Sequence, residues 1–174
     1  MKKTIVYSTL LLGAVFALLS FDVPKGWTIA GTAPGRYDMG IDKGAGVNGK
    51  NVATIKSIQD HVKGFGMLMQ NCVPGKYLGK RLRMSGYMKT ANVKKWACFW
   101  FRVDKKGKEH PDYGKMHRKR ISGTAEWQQY EIVLDIPENA TNLAYGALLE
   151  GTGQIWFDNI NFEILDDSVK TTGH

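Results

Sequence analysis

The sequence is poor in cysteine: its 174 residues include only two, Cys72 and Cys98. A disulfide-stapled mini-domain needs more bridges than two cysteines can make, so a hydrophobic core must stabilise this fold. Each cysteine lies in a run that is predicted to be a strand. One bridge between them and two buried thiols that pack as small apolar groups are therefore open alternatives.

Motifs with a known catalytic mechanism are also absent. The chain contains no G-x-S-x-G, H-E-x-x-H, G-x-x-x-x-G-K-[ST] or G-x-G-x-x-G sequence. No two acids close together in the sequence indicate glycoside hydrolysis, although such a pair needs to be close only in space. These absences favour a binding or structural module without a cofactor over an enzyme.

Long hydrophobic runs are confined to the first twenty residues. Lys2 and Lys3 precede an apolar stretch at residues 5–19, which is shorter than the roughly 20 residues that span a bilayer. This pattern is typical of a signal peptide, and we predict one at residues 1–20 with cleavage after Ser20. The protein is then secreted or periplasmic, and it contacts a membrane only if the segment stays uncleaved as an anchor.

Runs of alternating polar and apolar residues bounded by glycine continue from Phe21 to Leu165, whereas no long stretch has helical spacing. Turn sequences such as Asn48-Gly49 and Lys106-Gly107 separate these runs. Ten strands are predicted, over residues 26–30, 36–41, 52–57, 64–71, 80–89, 96–104, 115–121, 127–135, 142–149 and 154–165. This number of short strands predicts an all-β sandwich over residues 21–165, with a disordered tail at 166–174.

Alternation along a strand assigns its side chains to two faces. In the strand at 96–104 one face is predicted to be core, with Ala97, Phe99, Phe101 and Val103. The opposite face carries Trp96, Cys98, Trp100 and Arg102.

The last strand is predicted to place an acid on an apolar face, with Trp156, Asp158, Ile160, Phe162 and Ile164 side by side. A buried carboxylate needs a partner, because leaving it unpaired costs several kcal/mol. Asp158 is therefore expected to accept backbone hydrogen bonds from a neighbouring loop or to help hold a structural calcium ion.

Several blocks of the sequence resemble one family when they are read together. They are Gly26-Trp27, GKRLRMSGYMKT at 79–90, EWQQY at 126–130, DIP at 135–137 and GQIWFDN at 153–159. In this order they resemble the carbohydrate-binding modules of the galactose-binding-like jelly-roll type, over roughly residues 22–165. The resemblance implies a jelly-roll β-sandwich of two antiparallel sheets. It also implies a polysaccharide or oligosaccharide partner. The predicted export, for its part, argues against a nucleic-acid partner.

In that family, aromatic rings and polar side chains on a concave sheet or at a loop edge hold the glycan. Trp96, Trp100 and Arg102 share a face here, and Gln70 and Glu150 join them if their strands are neighbours. The predicted ligand-binding residues are Trp96, Trp100, Arg102, Gln70, Glu150 and, in a loop, Tyr113. The alternative is that the two tryptophans fill a second, minor core layer or pack under the 105–120 loop.

The stretch at 105–120, KKGKEHPDYGKMHRKR, is the most polar part of the chain. It indicates either salt-sensitive binding of an anionic polymer or a solvated hairpin that keeps an exported protein soluble. The basic residues proposed for such binding are Lys115, Arg118, Lys119 and Arg120. A structural or protein-interaction domain of the cell envelope is the remaining alternative to carbohydrate binding.

Overall fold

The computed structural model describes residues 20–107 and 120–172. Within these ranges the regular structure consists of strands and three single turns of 3-10 helix. The strands are β1 (Thr28–Gly31), β2 (Tyr37–Asp42), β3 (Val52–Ser57), β4 (Phe65–Cys72), β5 (Lys80–Lys105), β6 (Ile121–Ile136), β7 (Ala140–Glu150) and β8 (Gln154–Leu165). The prediction of an all-β fold is confirmed. In the same ranges no helix has the length and apolar character that crossing a membrane requires.

Strand β5 belongs to both sheets of the sandwich. Its first half lies between β6 and β8, whereas residues 96–105 pair with β7. One sheet therefore has the order β2-β3-β8-β5-β6 and the other the order β1-β4-β7-β5, with every pairing antiparallel. The strand passes between the sheets near Asn92, whose φ of 53° lies in the left-handed region that asparagine tolerates better than most residues. The two strands predicted at 80–89 and 96–104 are thus one continuous strand.

The main core fills the space between the two sheets. Ala97, Phe99 and Phe101 point into it, as the alternation predicts, and the ring of Phe99 meets that of Phe157 edge-on at 6.0 Å. Of the predicted strand at 115–121, residues 115–119 lie outside the described residues, and Ile121 begins β6. The sandwich of two antiparallel sheets is the jelly-roll architecture that the resemblance implies.

Strand β8 contains a bulge that the sequence pattern does not reveal. Between Ser85 and Tyr87 strand β5 advances by two residues, whereas the opposing stretch of β8, from Asn161 to Asp158, advances by three. Asn159 has a φ of 54° at this point. A bulge of this kind adds one residue to one strand and so reverses which face its later side chains occupy.

The bulge overturns the predicted single face of the last strand. Ile155 and Phe157 are the buried core residues before it, and Ile160 and Phe162 pack against the core after it. The prediction that Trp156, Asp158, Ile160, Phe162 and Ile164 share one face is therefore wrong.

The two cysteines are not bridged. Cys72 packs against the main core, whereas Cys98 belongs to a second cluster on the other face of the same sheet. Strand β7 lies between their strands, so the two thiols cannot approach each other. Burial raises the pKa of the Cys72 thiol. Of the two alternatives, the structure shows two separate thiols.

Residues 166–172 lie against β5 and β6, whereas the sequence predicts a disordered tail here. Thr172 donates its backbone N–H to the Val133 carbonyl, and its Oγ1 accepts the Val133 N–H, both at 2.8 Å. Arg81 Nη1 donates to the Val169 carbonyl at 2.7 Å. The exposed edge of β6 offers backbone groups that this segment can pair with. Residues 1–19 of the signal peptide predicted at 1–20, and the last two residues of the chain, lie outside the described residues.

Candidate functional site

A cleft of about 330 Å³ opens between the inner faces of the two sheets. Its apolar floor is one cross-strand row, in which Ile41 of β2 lies opposite Ala53 of β3 and Ala53 lies opposite Phe157 of β8. Polar side chains surround this floor: Asn51, Gln70, Tyr145, Asp158 and Asn159. The cleft therefore combines an apolar surface with hydrogen-bonding groups at its edge.

Trp27 forms one wall of the cleft. A turn holds it, because the Trp27 N–H donates to the Pro24 carbonyl at 3.0 Å and Gly26 adopts a φ of 83°, which favours glycine. The indole ring lies 5.6 Å from the Phe157 ring and 6.5 Å from the Tyr145 ring. It is half-buried, so these contacts fix the ring while part of it faces the cleft.

Gln70 and Tyr145 form a hydrogen-bonded pair at the cleft. The Tyr145 hydroxyl donates to Gln70 Oε1 at 2.6 Å. No described residue accepts a hydrogen bond from Gln70 Nε2, which lies beside the bare backbone of Gly26. Burial, with a smaller contribution from Cys72 and Tyr77, raises the pKa of Tyr145. The phenol therefore stays protonated at neutral pH, and it holds the amide with Nε2 available as a donor.

Asp158 and two asparagines complete the polar edge. Asp158 Oδ1 accepts the backbone N–H of Asn159 at 2.7 Å, and Asn51 Oδ1 accepts the N–H of Gly44 at 3.3 Å. Asp158 is the one carboxylate among the described residues that line the cleft. Its backbone partner is the adjacent residue of the bulge, not a neighbouring loop as the sequence suggests.

The described ranges contain no group of three or more His, Cys, Asp or Glu side chains placed to hold a metal ion. The structural calcium ion at Asp158 therefore stays a prediction.

The predicted tryptophan face is the outer surface of the β1-β4-β7-β5 sheet. Trp96 lies directly opposite Glu150 across the β5–β7 pair, as expected if these strands are neighbours. Trp100 and Arg102 point to the same side, but their exposed fractions are only 1% and 7%. A second hydrophobic cluster occupies this face, made of Met67, Cys98, Trp100, Ala144 and Leu148, with Trp96 packed against it. The alternative of a second core layer is therefore present in the structure.

The polar side chains at one end of this face form hydrogen bonds with one another. The Arg102 guanidinium donates two hydrogen bonds to Asp104, at 2.7 and 3.1 Å, and Asn142 Nδ2 donates to the same carboxylate at 2.9 Å. Burial alone would raise the pKa of Asp104, but these hydrogen bonds and the charge of Arg102 bring it below its usual value. The guanidinium also lies 6.0 Å from the Trp100 ring.

Gln70 does not join the tryptophan face. It pairs in register with Tyr145, and Tyr145 pairs with Phe101, so all three point to the inner side of the sheet. The expectation that Gln70 lies beside Trp100 is wrong, because β7 separates their strands and the register places the two residues on opposite faces.

Most of the predicted loop residues lie outside the described residues, namely Tyr113, Lys115, Arg118 and Lys119. Arg120 is described, and its guanidinium carbon lies 4.8 Å from the Trp96 ring. The one basic-patch residue that the structure describes is thus exposed and stacked on a tryptophan.

Sequence reasoning missed most of the cleft. Gly26-Trp27 is one of the blocks that carry the family resemblance, but nothing in its pattern marks Trp27 as a site residue. The turn signal at Pro24 to Gly26 is the one local sign that this tryptophan is held at a fixed angle. Tyr145 and Asn159 gain their positions from pairing register and from the bulge.

No protein-family model matches the chain. Among curated proteins it is 40% identical over 150 residues to an uncharacterized HTH-type transcriptional regulator of Bacillus subtilis, YbfP. The match covers 85% of this chain and 50% of that protein. The chain therefore spans about half the length of this relative.

Solved structures with this fold include two carbohydrate-binding proteins. The CBM22-1–GH10 modules of a Clostridium thermocellum endo-1,4-β-D-xylanase, solved with xylohexaose, match 85% of this chain and 28% of that chain, with a TM-score of 0.63 and 13% identity. TmCBM61, solved with β-1,4-galactotriose, matches 81% of this chain and 90% of that chain, with a TM-score of 0.53 and 14% identity. The chain thus has the galactose-binding-like jelly-roll fold of carbohydrate-binding modules, and the resemblance seen in the sequence is confirmed for the fold.

Proposed function

We propose that the protein is an exported, non-catalytic carbohydrate-binding module that holds a saccharide in the Trp27 cleft. The observation that carries the proposal is the cleft itself, a cavity of about 330 Å³ lined by a half-buried indole, an apolar floor and an amide donor of Gln70 that no described residue uses. The support for a saccharide as the ligand class is that this fold occurs in TmCBM61, solved with β-1,4-galactotriose, and in part of the CBM22-1–GH10 xylanase solved with xylohexaose.

The side chains of the cleft match the two kinds of surface on a sugar ring. Its apolar C–H face packs against an aromatic ring such as Trp27, while its hydroxyls exchange hydrogen bonds with amides and carboxylates. Gln70 Nε2 is a donor held in place by Tyr145, and Asp158 is an acceptor. A neutral saccharide suits this lining, because the described lining carries a single negative charge and no positive one.

A binding role fits this cleft better than hydrolysis. Glycosidases use two carboxyl groups, about 5–5.5 Å apart in retaining enzymes and about 6.5–9.5 Å apart in inverting enzymes. Asp158 is the only carboxylate in the described lining. The proposal therefore assigns no catalytic residue.

The experiment is isothermal titration calorimetry on the protein purified after export from a bacterial host that expresses the full-length gene. Xylohexaose and β-1,4-galactotriose are the probes, at low and high salt. Trp27→Ala is expected to weaken binding about tenfold, since it removes the stacking surface. Trp96→Ala is the matched control, because it removes an indole of the same size from the other face. Salt is expected to change the affinity little, since the cleft has few charges to screen.

The tryptophan face is the second candidate site. Trp96, partly exposed and directly opposite Glu150, is the observation that favours it. If Trp96→Ala weakens sugar binding and Trp27→Ala does not, the site lies on this face and the cleft is wrong. Binding of an anionic polymer that disappears as salt rises would instead favour the basic patch at Lys115 to Arg120.

The Bacillus subtilis relative suggests a second biological setting for the same module. The residues of this chain that the structure describes contain no α-helix and therefore no helix-turn-helix motif. The part of them that matches the regulator thus has no DNA-binding helices of that kind. We propose that the shared half is a ligand-binding module that accompanies different partners, a DNA-binding part in the regulator and an export signal here. If the corresponding half of the regulator does not bind the sugars that this chain binds, a shared role is contradicted.

A further inference from the structure

The residues that precede β1 form a strap, Ser20–Trp27, which runs from the outer face of β2 to the cleft. The Ile41 N–H donates to the Asp22 carbonyl at 2.8 Å, and these residues form an isolated bridge. Gly40 allows this contact, because a side chain there would come within 2.5 Å of the Asp22 carbonyl oxygen. At its other end the strap turns through Pro24 and places Trp27 in the cleft.

Asp38 of β2 anchors the start of the strap. Its Oδ1 accepts the Phe21 backbone N–H at 3.0 Å and the Ser20 hydroxyl at 3.1 Å. These two donors lie on either side of the Ser20–Phe21 peptide bond, which is the bond predicted to be cut. The carboxylate therefore lies where a new chain terminus would form.

We propose that removal of residues 1–20 places the α-ammonium group of Phe21 on Asp38, and that this ion pair fixes the strap that forms one wall of the cleft. The inference rests on the proposed export and concerns the assembly of the proposed sugar site. An uncleaved chain offers Asp38 a neutral amide N–H at the same position. The processed chain offers a positive charge, which makes the hydrogen bond stronger.

The processing step is hydrolysis of the Ser20–Phe21 peptide bond by a leader peptidase. Water supplies a hydroxyl to the Ser20 carbonyl carbon and a proton to the Phe21 nitrogen. The new carboxylic acid on Ser20 ionises and leaves with the leader, while the amine of Phe21 takes up a proton. Asp38 thus loses the Ser20 hydroxyl as a partner and gains an ammonium group with three N–H donors.

The pair gives the processed protein a pH dependence of known sign. Asp38 is the carboxylate that contacts the Phe21 nitrogen, and Lys56 lies opposite Asp38 across the β2–β3 pair. Asp22 is next to Phe21 in the sequence, and its carboxylate lies 4.0 Å from the Lys43 ammonium. An α-amino group has a pKa of about 8 in an unfolded chain, and a neighbouring carboxylate raises it on folding. Stabilisation by the ammonium is complete below about pH 8 and is lost as the pH rises through the higher folded-state value.

The test uses the full-length gene in an exporting bacterial host. Mass spectrometry of the exported protein is expected to find Phe21 as its first residue. A second gene carries three glutamines inserted between Ser20 and Phe21, which create no A-x-A cleavage site, so that cleavage after Ser20 leaves Phe21 as an amide and moves the amine away. Asp38→Asn in each background is expected to lower the folding equilibrium constant about two- to fivefold more in the normal protein than in the insertion variant.

Two results would overturn the inference: a first residue other than Phe21, or an equal effect of Asp38→Asn in both backgrounds. If Asp38→Asn fails to fold, the two proteins with native Asp38 are compared between pH 7 and 10. Stability should then fall more in the normal protein, and identical pH profiles overturn the inference. If Asp38→Asn has the larger effect in the normal protein but neither protein binds sugar, only the proposed function is contradicted. The two failures are therefore distinguishable.

Discussion

The outer face of the β1-β4-β7-β5 sheet and the Trp27 cleft contain the same kinds of side chain but use them differently. On the outer face Trp100 is 1% exposed, and the nearby guanidinium of Arg102 is bound to Asp104. In the cleft Trp27 is half-buried, and Gln70 keeps an amide donor that no described residue uses. Tryptophan beside polar groups is thus typical of a ligand site only where those groups still have unused hydrogen-bonding capacity.

Replacing Trp100 tests the comparison most strongly. Trp100→Ala is expected to lower the free energy of unfolding by about 3–5 kcal/mol, the usual cost of emptying a buried aromatic site. Urea denaturation measures it, and the folded fraction should bind sugar as the normal protein does. Trp100→Phe is the control. It keeps a six-membered aromatic ring in the site and removes an indole N–H that finds no acceptor among the described residues. A stable Trp100→Ala protein that no longer binds sugar would place the ligand on this face.

Arg102→Met is expected to cost about 2 kcal/mol, within the range for hydrogen bonds to charged groups. Hydrogen bonds from Arg102 and Asn142 hold the pKa of Asp104 below its usual value. The stabilisation is therefore present above about pH 4, near the unfolded-state pKa, and is lost as the pH falls through the lower folded-state value. Denaturation at pH 7 and pH 3 measures the change, with Asn142→Ala as a milder control. A difference between Arg102→Met and the normal protein that stays constant with pH would contradict this role.

Gln70→Ala is expected to weaken sugar binding roughly three- to tenfold, the loss of about one hydrogen bond. Tyr145→Phe removes only the hydroxyl that holds the amide, so its effect should be smaller and in the same direction. Calorimetry with xylohexaose measures both. Unchanged affinity in Gln70→Ala would remove this residue from the site and weaken the contrast between the two regions.

Arg120→Ala should have the smallest effect, a loss of about 0.5 kcal/mol, because an exposed guanidinium over a ring contributes little. Lys94→Ala, which removes an exposed cation of β5 two residues before Trp96, is the matched control for charge. Urea denaturation of both variants measures the difference. Loss of several kcal/mol from Arg120→Ala alone would show that Trp96 depends on this contact more than its exposure indicates.

Local pattern predicted most of the strands and the main core. Alternation placed Phe99 and Phe101 inside and Trp100 on the opposite face, because each side chain's direction depends only on its own strand. The same rule failed in β8, where the extra residue at Asn159 reverses the faces, because asparagine tolerates the left-handed region but does not by itself predict a bulge. It also failed for Gln70, whose neighbours depend on which strands pair.

The sequence by itself determined that this is an all-β sandwich whose strands place tryptophans beside polar residues. Strand periodicity and turn residues are local properties, so they can be recognised in the sequence without knowledge of the fold. Only the tertiary structure decided which tryptophan is packed and which faces a cleft, since that depends on strand order, pairing register and the path of the strap. The physical reason is that burial and unused hydrogen bonds belong to the whole assembly of the two sheets and not to any one segment.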